Sequence, residues 1–138
     1  MISGNTPSII AGKRIVIIED EGMSIMAFQR ACQRAGLMVV GIACNGREGV
    51  DIALQEHPDI VLTDINMPIM DGLEAARLIL EKLRVCVVFL TALSDNDMRE
   101  QIARSGCHGC AIKPMGNEDL IQCLEESYAR YSGSEIRQ

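Results

Sequence analysis

Short apolar runs alternate along the chain with longer segments in which an apolar residue recurs every three or four positions. The runs predict five β-strands, at residues 15–18, 38–44, 60–63, 85–90 and 109–112. None of them alternates strictly between apolar and polar residues, which is typical of strands covered on both faces. We therefore expect a sheet that is buried between two layers.

The segments between these runs have the spacing of amphipathic helices. Two further helices, at residues 46–55 and 95–104, have weaker apolar stripes, and we expect the second of these to be the most mobile helix. Five strand-then-helix units need parallel crossovers, and right-handed crossovers place helices on both faces of the sheet. The pattern predicts a doubly wound parallel sheet in a three-layer α/β sandwich. The clearest stripes are Ile25, Phe28, Cys32 and Ala35; Leu73, Ala76, Leu80 and Leu83; and Ile121, Leu124, Tyr128 and Tyr131.

The length of 138 residues fits a single domain. Turn-forming residues concentrate near the amino terminus, so we expect a flexible tail over 1–12, the domain over 13–131 and a polar tail over 132–138. Without a long apolar stretch or a signal-peptide pattern, we expect a cytoplasmic protein that does not associate with membranes. The net charge of −6 and the lack of a run of Lys and Arg disfavour direct nucleic-acid binding.

Six cysteines raise the question of disulfides or a metal site. Cys32, Cys44, Cys86 and Cys123 fall within predicted helices or strands, and nothing indicates secretion, so we expect them to be buried and reduced. Residues 107–110, Cys-His-Gly-Cys, have the C-x-x-C spacing of zinc and redox sites, although the chain lacks a second such pair. Metal or redox chemistry there stays an alternative to a structural role.

Polar residues follow four of the five predicted strands: Glu19 and Asp20, Asp64, Thr91, and Lys113. The carboxyl ends of parallel strands meet at one edge, where ligands bind in open α/β sheets. Two unit charges about 4 Å apart repel by about 4 kcal/mol at an effective dielectric of about 20, so three carboxylates at this edge need a cation. Carboxylate oxygens suit Mg²⁺. The sequence therefore predicts a magnesium site beside a lysine.

This set of residues fits phosphoryl transfer. An ionised Asp64 beside Mg²⁺ and Lys113 is placed to attack the phosphorus of a phosphohistidine, because both cations neutralise the oxygens of the transferring group. The resulting acyl phosphate has a weakly basic leaving group and should be short-lived in water. Thr91 is able to donate its hydroxyl to the phosphoryl group, and the loop that follows would then move.

The same residues resemble a known family, the receiver domains of bacterial response regulators. The resemblance covers roughly residues 13–131 and implies the fold of the chemotaxis response regulator. That fold is a flavodoxin-like sandwich whose five-stranded parallel sheet has the order 2-1-3-4-5. The segments that carry the resemblance are Val-Ile-Ile-Glu-Asp-Glu at 16–21, Leu-Thr-Asp-Ile-Asn-Met-Pro-Ile-Met-Asp-Gly at 62–72, Phe-Leu-Thr-Ala at 89–92 and Lys-Pro at 113–114.

The resemblance also implies roles for individual residues. Asp64 would be the phosphoacceptor, Thr91 and Lys113 would contact the phosphoryl group, and a cis peptide bond would precede Pro114. The implied ligands of Mg²⁺ are the side chains of Glu19, Asp20 and Asp64 and the backbone carbonyl of Asn66. The implied function is that of a signalling phosphoacceptor and not an enzyme, with a sensor histidine kinase or a histidine phosphotransfer protein as the donor and a downstream protein as the target.

Two positions depart from the usual pattern of the family. Cys110 stands where a switch tyrosine or phenylalanine is common, and Met115 stands where phenylalanine is frequent. The usual aromatic rotation cannot occur without the ring, so we expect the output signal to travel differently, by backbone shifts. Whether the chain is a stand-alone regulator or a piece of a larger protein stays open.

Alternatives to this interpretation remain at the level of the sequence. Glu19 and Asp20 taken alone are also typical of a helix start, and Asp71 is the better candidate for a structural cap. A haloacid-dehalogenase-like phosphatase would need a D-x-D pair, whereas Asp64 is followed by Ile65 and Asn66. A flavin-binding module would need aromatic residues to stack on the ring, and aromatics make up only 3% of the chain.

Overall fold

Strands and helices alternate strictly along the chain in the structure, which is a computed structural model. It describes residues 8–92 and 96–136, with only the backbone for 134–136. Every predicted strand is present with ends within one residue of the expected position, and all five predicted helices are present. The strands are β1 (Arg14–Ile18), β2 (Met38–Ala43), β3 (Ile60–Asp64), β4 (Cys86–Thr91) and β5 (Gly109–Ile112). The helices are α1 (Gly22–Arg34), α2 (Gly46–Glu56), α3 (Gly72–Lys82), α4 (Asn96–Arg104) and α5 (Asn117–Ile136).

The five strands form one parallel sheet in the order β2-β1-β3-β4-β5, which confirms the predicted order. Both faces of the sheet are covered. Ile15 and Ile17 contribute to a core shared with α1 and α5, while Val16 and Ile18 contribute to a second core on the face of α2 and α3. This two-sided burial explains why the strand sequences do not alternate between apolar and polar residues.

The structure corrects the predicted amino-terminal tail at its inner end. Ile10 is fully buried in the core beneath α1 and α5, and the Ser8 hydroxyl donates a hydrogen bond of 2.5 Å to Glu125 of α5. The domain therefore begins to pack before residue 13, and residues 1–7 lie outside the described part of the chain. At the other terminus, α5 continues to Ile136, so the predicted tail is helical over residues 132–136.

The predicted burial of the cysteines is correct for two of the four. Cys32 and Cys86 are fully buried, which raises the pKa of each thiol to about 12. Cys123 is half-buried, and the prediction is wrong for Cys44, which is exposed because β2 ends one residue earlier, at Ala43. All six cysteines are free thiols.

Helix α4 is the least embedded of the five helices. None of its residues is buried, and Met98 and Ile102 pack only partly against the core. Its predicted start at Asp95 lies outside the described residues, and its greater mobility stays a prediction. Over the described ranges, no helix has the length and apolar character needed to cross a membrane.

Candidate functional site

The acidic pair that follows β1 occupies the carboxyl edge of the sheet. The Glu19 amide donates to the Ala43 carbonyl at 2.9 Å, so the backbone keeps the parallel β1–β2 pattern one residue beyond the strand. This holds the Glu19 side chain inward, where the residue is only 1% exposed, while Asp20 faces solvent. The first turn of α1 contains no acidic residue, so neither Glu19 nor Asp20 is there to stabilise the amino-terminal turn of this helix.

Asp64 is the last residue of β3, and its backbone is held in place by the neighbouring strand and by the start of α3. It pairs with Leu90 of β4 and is 7% exposed. Gly72, the first residue of α3, packs directly on it, because a Cβ at this glycine would lie 2.1 Å from the Asp64 carbonyl oxygen. Gly72 was not among the residues predicted for the site. The Asp-Gly pair at 71–72 is the signal that could have identified this close approach, since glycine is favoured where backbones come together.

Asp71 has the structural role that the sequence favoured for it. Its Oδ1 accepts a hydrogen bond of 2.9 Å from the Glu74 amide and caps the start of α3. Asp64 and Asp71 are therefore two aspartates of the same loop region with different surroundings: one lies in the pocket at the end of β3 and the other at the start of a helix.

Three carboxylates converge at the carboxyl edge. Ligand oxygens of Glu19, Asp20 and Asp64 all lie within 4.8 Å of one another. Among the residues that the structure describes, this is the one group of three or more His, Cys, Asp or Glu side chains close enough to hold a metal ion, so Cys107 and Cys110 form no such cluster. Hard oxygen donors at this spacing fit a divalent cation such as Mg²⁺.

Lys113, which directly follows β5, pairs with two of the three carboxylates. Its Nζ lies 2.9 Å from Glu19 Oε1 and 3.4 Å from Asp64 Oδ2. Burial raises the pKa of Glu19, and the nearby charge of Asp64 adds to the rise, while the hydrogen bond from Lys113 opposes it. Burial alone would lower the pKa of Lys113, but the hydrogen bond to Glu19 and the charge of Asp64 raise it above its ordinary value, so the lysine stays protonated at neutral pH.

Thr91 and Asn66 complete the set of sequence-predicted residues. Thr91 ends β4, is 2% exposed, and its carbonyl accepts a hydrogen bond of 2.8 Å from the Lys113 amide. Asn66 lies in the loop after β3 and is exposed. The structure thus brings Glu19, Asp20, Asp64 and Lys113 into direct proximity, and a backbone hydrogen bond joins Thr91 to this group. The Lys113–Pro114 peptide bond is cis, as the resemblance implied.

Comparisons with known proteins agree with this geometry. The family described as "Response regulator receiver domain" matches residues 15–125. The transcriptional regulatory protein PdtaR of Mycobacterium tuberculosis is 34% identical over 119 residues, which are 86% of this chain and 58% of PdtaR. The chemotaxis protein CheY of Thermotoga maritima is 31% identical over 83% of this chain and 97% of its own length. The chain therefore spans little more than half of PdtaR and nearly the whole of CheY.

A solved structure shows the same fold. The signal receiver domain of a modulated diguanylate cyclase from Desulfovibrio desulfuricans superposes with a TM-score of 0.81. The two share 24% sequence identity, and the alignment covers 89% of this chain and 98% of that domain. At this level of identity the match shows the fold alone.

Proposed function

The chain belongs to the family of response regulator receiver domains, a class of signalling domains, and from that premise we propose that Asp64 is its phosphoacceptor. The donor is the phosphohistidine of a sensor histidine kinase or a histidine phosphotransfer protein. Membership in this family also removes the grounds for a flavin-binding module or a haloacid-dehalogenase-like phosphatase.

The observation that carries the proposal is the cluster of three carboxylates, two of which pair with one lysine. Together with the ammonium of Lys113, the carboxylates leave two formal negative charges, which one divalent cation balances. We assign the Mg²⁺ ligands to Glu19, Asp20, Asp64 and the carbonyl oxygen of Asn66. When bound, the ion supplies positive charge that stabilises the oxygens of the transferring phosphoryl group.

The residues of the chain divide the chemistry between them. A carboxylate oxygen of Asp64 forms the new O–P bond while the N–P bond of the phosphohistidine breaks, and the released imidazole takes up a proton from solvent. Lys113, 3.4 Å from Asp64 Oδ2, neutralises charge on the phosphoryl oxygens. Thr91, at the end of the neighbouring strand, donates its hydroxyl to the same group. Hydrolysis of the acyl phosphate by the domain itself then ends the signal.

The new phosphoryl group changes the charge at the edge of the sheet. It replaces a single negative charge by about two and adds acceptor oxygens, so Lys113 and Thr91 are drawn toward Asp64. Because the Lys113 amide is bonded to the Thr91 carbonyl, both strand ends respond together. Cys110 has no ring to rotate, so we propose that backbone shifts of β5 carry the signal to a downstream protein.

A small phosphodonor tests the acceptor directly. The protein is incubated with ³²P-labelled acetyl phosphate and MgCl₂, alongside Asp64→Ala and Asp64→Asn. Asp71→Asn is a matched control, because asparagine caps a helix nearly as well as aspartate and this residue lies seven positions away in the chain. We expect wild type and Asp71→Asn to be labelled, and both Asp64 variants and an EDTA-treated sample to remain unlabelled. Labelling that survives both changes at residue 64 would contradict the proposal.

A further inference from the structure

Thr63 carries a buried hydroxyl that the proposed chemistry does not use. It precedes Asp64 in β3 and is fully buried. Its neighbours in the sheet are Ile18 of β1 and Phe89 of β4, and both of these side chains belong to the apolar core on the face of α2 and α3. Because paired residues of parallel strands point to the same face, Thr63 faces this core as well. A hydroxyl in such surroundings costs free energy unless it is hydrogen-bonded.

The hydroxyl of Thr63 donates a hydrogen bond of 2.9 Å to the carbonyl oxygen of Asp64. In the part of the chain that the structure describes, this is the one hydrogen bond recorded for the Thr63 side chain. Valine has a similar branched shape and would occupy the same space without burying a polar atom. Packing alone therefore does not account for a threonine at this position, and the bond to Asp64 is what distinguishes the two residues.

The Asp64 carbonyl lies beyond the reach of the strand pairing. It belongs to the same peptide unit as the Ile65 amide, and the two groups point in opposite directions. The Ile65 amide donates to the Leu90 carbonyl of β4 at 3.1 Å, so the Asp64 carbonyl points toward β1. The pairing of β1 with β3 ends one residue earlier, at Ile18 and Thr63. Outside the paired strands, no backbone amide of the described residues donates to this oxygen, which leaves the Thr63 hydroxyl as its recorded donor.

The peptide unit between Asp64 and Ile65 supports two parts of the proposed site. The acceptor carboxylate extends from the Cα of Asp64, and the chain continues through Ile65 to Asn66, whose carbonyl we assign to Mg²⁺. Gly72 packs against the Asp64 carbonyl oxygen, because a Cβ there would lie only 2.1 Å from it. The oxygen is thus in contact with both a hydroxyl and a glycine. A rotation of this peptide unit would move the carboxylate and the Asn66 carbonyl together.

We propose that Thr63 is a positioning residue for phosphoryl transfer, an inference that rests on Asp64 being the acceptor. Its hydroxyl fixes the peptide unit that follows Asp64 and thereby the direction of the Asp64 carboxylate. The hydroxyl does not contact the phosphoryl group, since it is bonded to a backbone oxygen on the core side of the sheet. Attack on phosphorus requires a well-placed nucleophile, and a misplacement of about 1 Å can slow a reaction by about a hundredfold. Loss of the bond therefore slows the reaction through Asp64.

The test separates the hydroxyl of Thr63 from its shape. Thr63→Val keeps the branched shape, Thr63→Ser keeps the hydroxyl, and Thr63→Ala keeps neither. Rates of labelling are measured with acetyl phosphate and with phosphoramidate at saturating Mg²⁺, and thermal midpoints are measured by circular dichroism. Ser127→Ala is the matched control, because it removes another fully buried hydroxyl, which lies in α5.

The expected rates follow the hydroxyl. Thr63→Val should be labelled about tenfold more slowly than wild type by both donors, because the defect lies at the acceptor. Thr63→Ala should be as slow, whereas Thr63→Ser and Ser127→Ala should react like wild type. The thermal midpoints should follow a different order, with Thr63→Val above Thr63→Ser, since valine retains the methyl group that serine lacks in the core.

The other outcomes overturn the proposal. A Thr63→Val variant that reacts at the wild-type rate shows that the hydroxyl is not needed, and a Thr63→Ser variant as slow as Thr63→Val shows that its loss is not the cause. Rates that follow the order of the thermal midpoints assign the effect to the stability of the fold. If Thr63→Val does not fold, Thr63→Ser and Thr63→Ala decide, because they differ only in the hydroxyl, and equal rates of these two overturn the proposal. If wild type itself is not labelled, the proposed function fails and this proposal fails with it.

Discussion

Two parts of the domain differ sharply in how firmly they are packed: the centre of the sheet, β1, β3 and β4, and the β5–α4 side. We call the first the firm half and the second the lightly packed half. Strands β3 and β4 are buried along their whole length, whereas β5 has one buried residue, Ala111, and α4 has none. Glu19, Asp64 and Thr91 belong to the firm half. Weakly packed elements open at low free-energy cost. We therefore expect the candidate site to have a rigid support and the neighbouring β5–α4 region to be the part that responds.

Lys113 lies at the boundary between these halves. Its ammonium contacts Glu19 and Asp64, and its backbone amide donates a hydrogen bond to the Thr91 carbonyl. At the same time, Lys113 directly follows the lightly packed β5. Under the proposed function, we therefore expect a change of charge at Asp64 to act on β5 through this residue, without any rotation of a ring at Cys110.

Truncation of one side chain in each half should give the largest contrast. Phe89→Ala removes a fully buried ring from β4 and should lower the free energy of unfolding by about 3–5 kcal/mol. Ile102→Ala, in α4, should lower it by less than about 1 kcal/mol, because this side chain is only partly buried and alanine is a good helix former. Urea denaturation measures both, and equal losses would show that the two halves are equally well packed.

Alanine substitutions at two glycines that begin helices test how tightly the backbone packs around Asp64. Gly72→Ala pushes a methyl group onto the Asp64 carbonyl and should cost about 2 kcal/mol of stability, and it should also slow phosphorylation by acetyl phosphate. Gly22→Ala starts α1 with nothing within 4 Å of the new Cβ. It should be neutral or stabilise by about 0.5 kcal/mol. Similar behaviour of both variants in urea denaturation would argue against a close fit at Asp64.

The smallest effect concerns the pH dependence of the lightly packed half. His108 joins the start of β5 to β4, since the Val87 amide donates to its Nδ1 at 3.1 Å, which requires that nitrogen to be unprotonated. Burial and the charge of Arg130 lower the pKa of His108 below its ordinary value of 6.5. The folded state thus favours the neutral ring, and its stabilising contribution is complete above pH 6.5 and is lost as the pH falls below that value.

A comparison of the two histidines isolates this contribution. In His108→Gln, the free energy of unfolding should fall less than in wild type as the pH decreases from about 6.5 to about 5. His57→Asn is the control, because His57 lies at the end of α2 with φ of 51°, a conformation that asparagine tolerates. Denaturation at a series of pH values checks both, and an unchanged profile for His108→Gln would remove this residue from the explanation.

The elements of the fold followed from hydrophobic periodicity because every strand lies within a short, largely apolar run of the sequence. The pattern did not contain the strand order, which came from the resemblance. Ile10 was missed because turn-forming residues before it, at positions 4–8, favour a tail, and its burial depends on contacts with distant parts of the core. In α3, the fully buried hydrophobic side chains are Ala75, Ala76 and Ile79, while the leucines of the predicted stripe are only half-buried.

The candidate site was predicted better than the surfaces around it. Acidic residues and a lysine at strand ends converge because parallel strands end at one edge, a rule that needs no knowledge of side-chain conformation. The shorter contact of Lys113 with Glu19 than with Asp64 depends on packing between residues 94 positions apart in the sequence. The backbone of Ile69, with φ of +70°, was equally out of reach, because isoleucine does not indicate a positive φ.

Chemical mapping of the acceptor tests the central claim most directly. The protein is phosphorylated with acetyl phosphate and Mg²⁺ and treated with borohydride, which reduces an aspartyl phosphate to homoserine, and the peptides are then sequenced by mass spectrometry. Our account predicts homoserine at position 64 and unmodified aspartate at positions 20 and 71. Homoserine at either of those positions, with residue 64 intact, would contradict it.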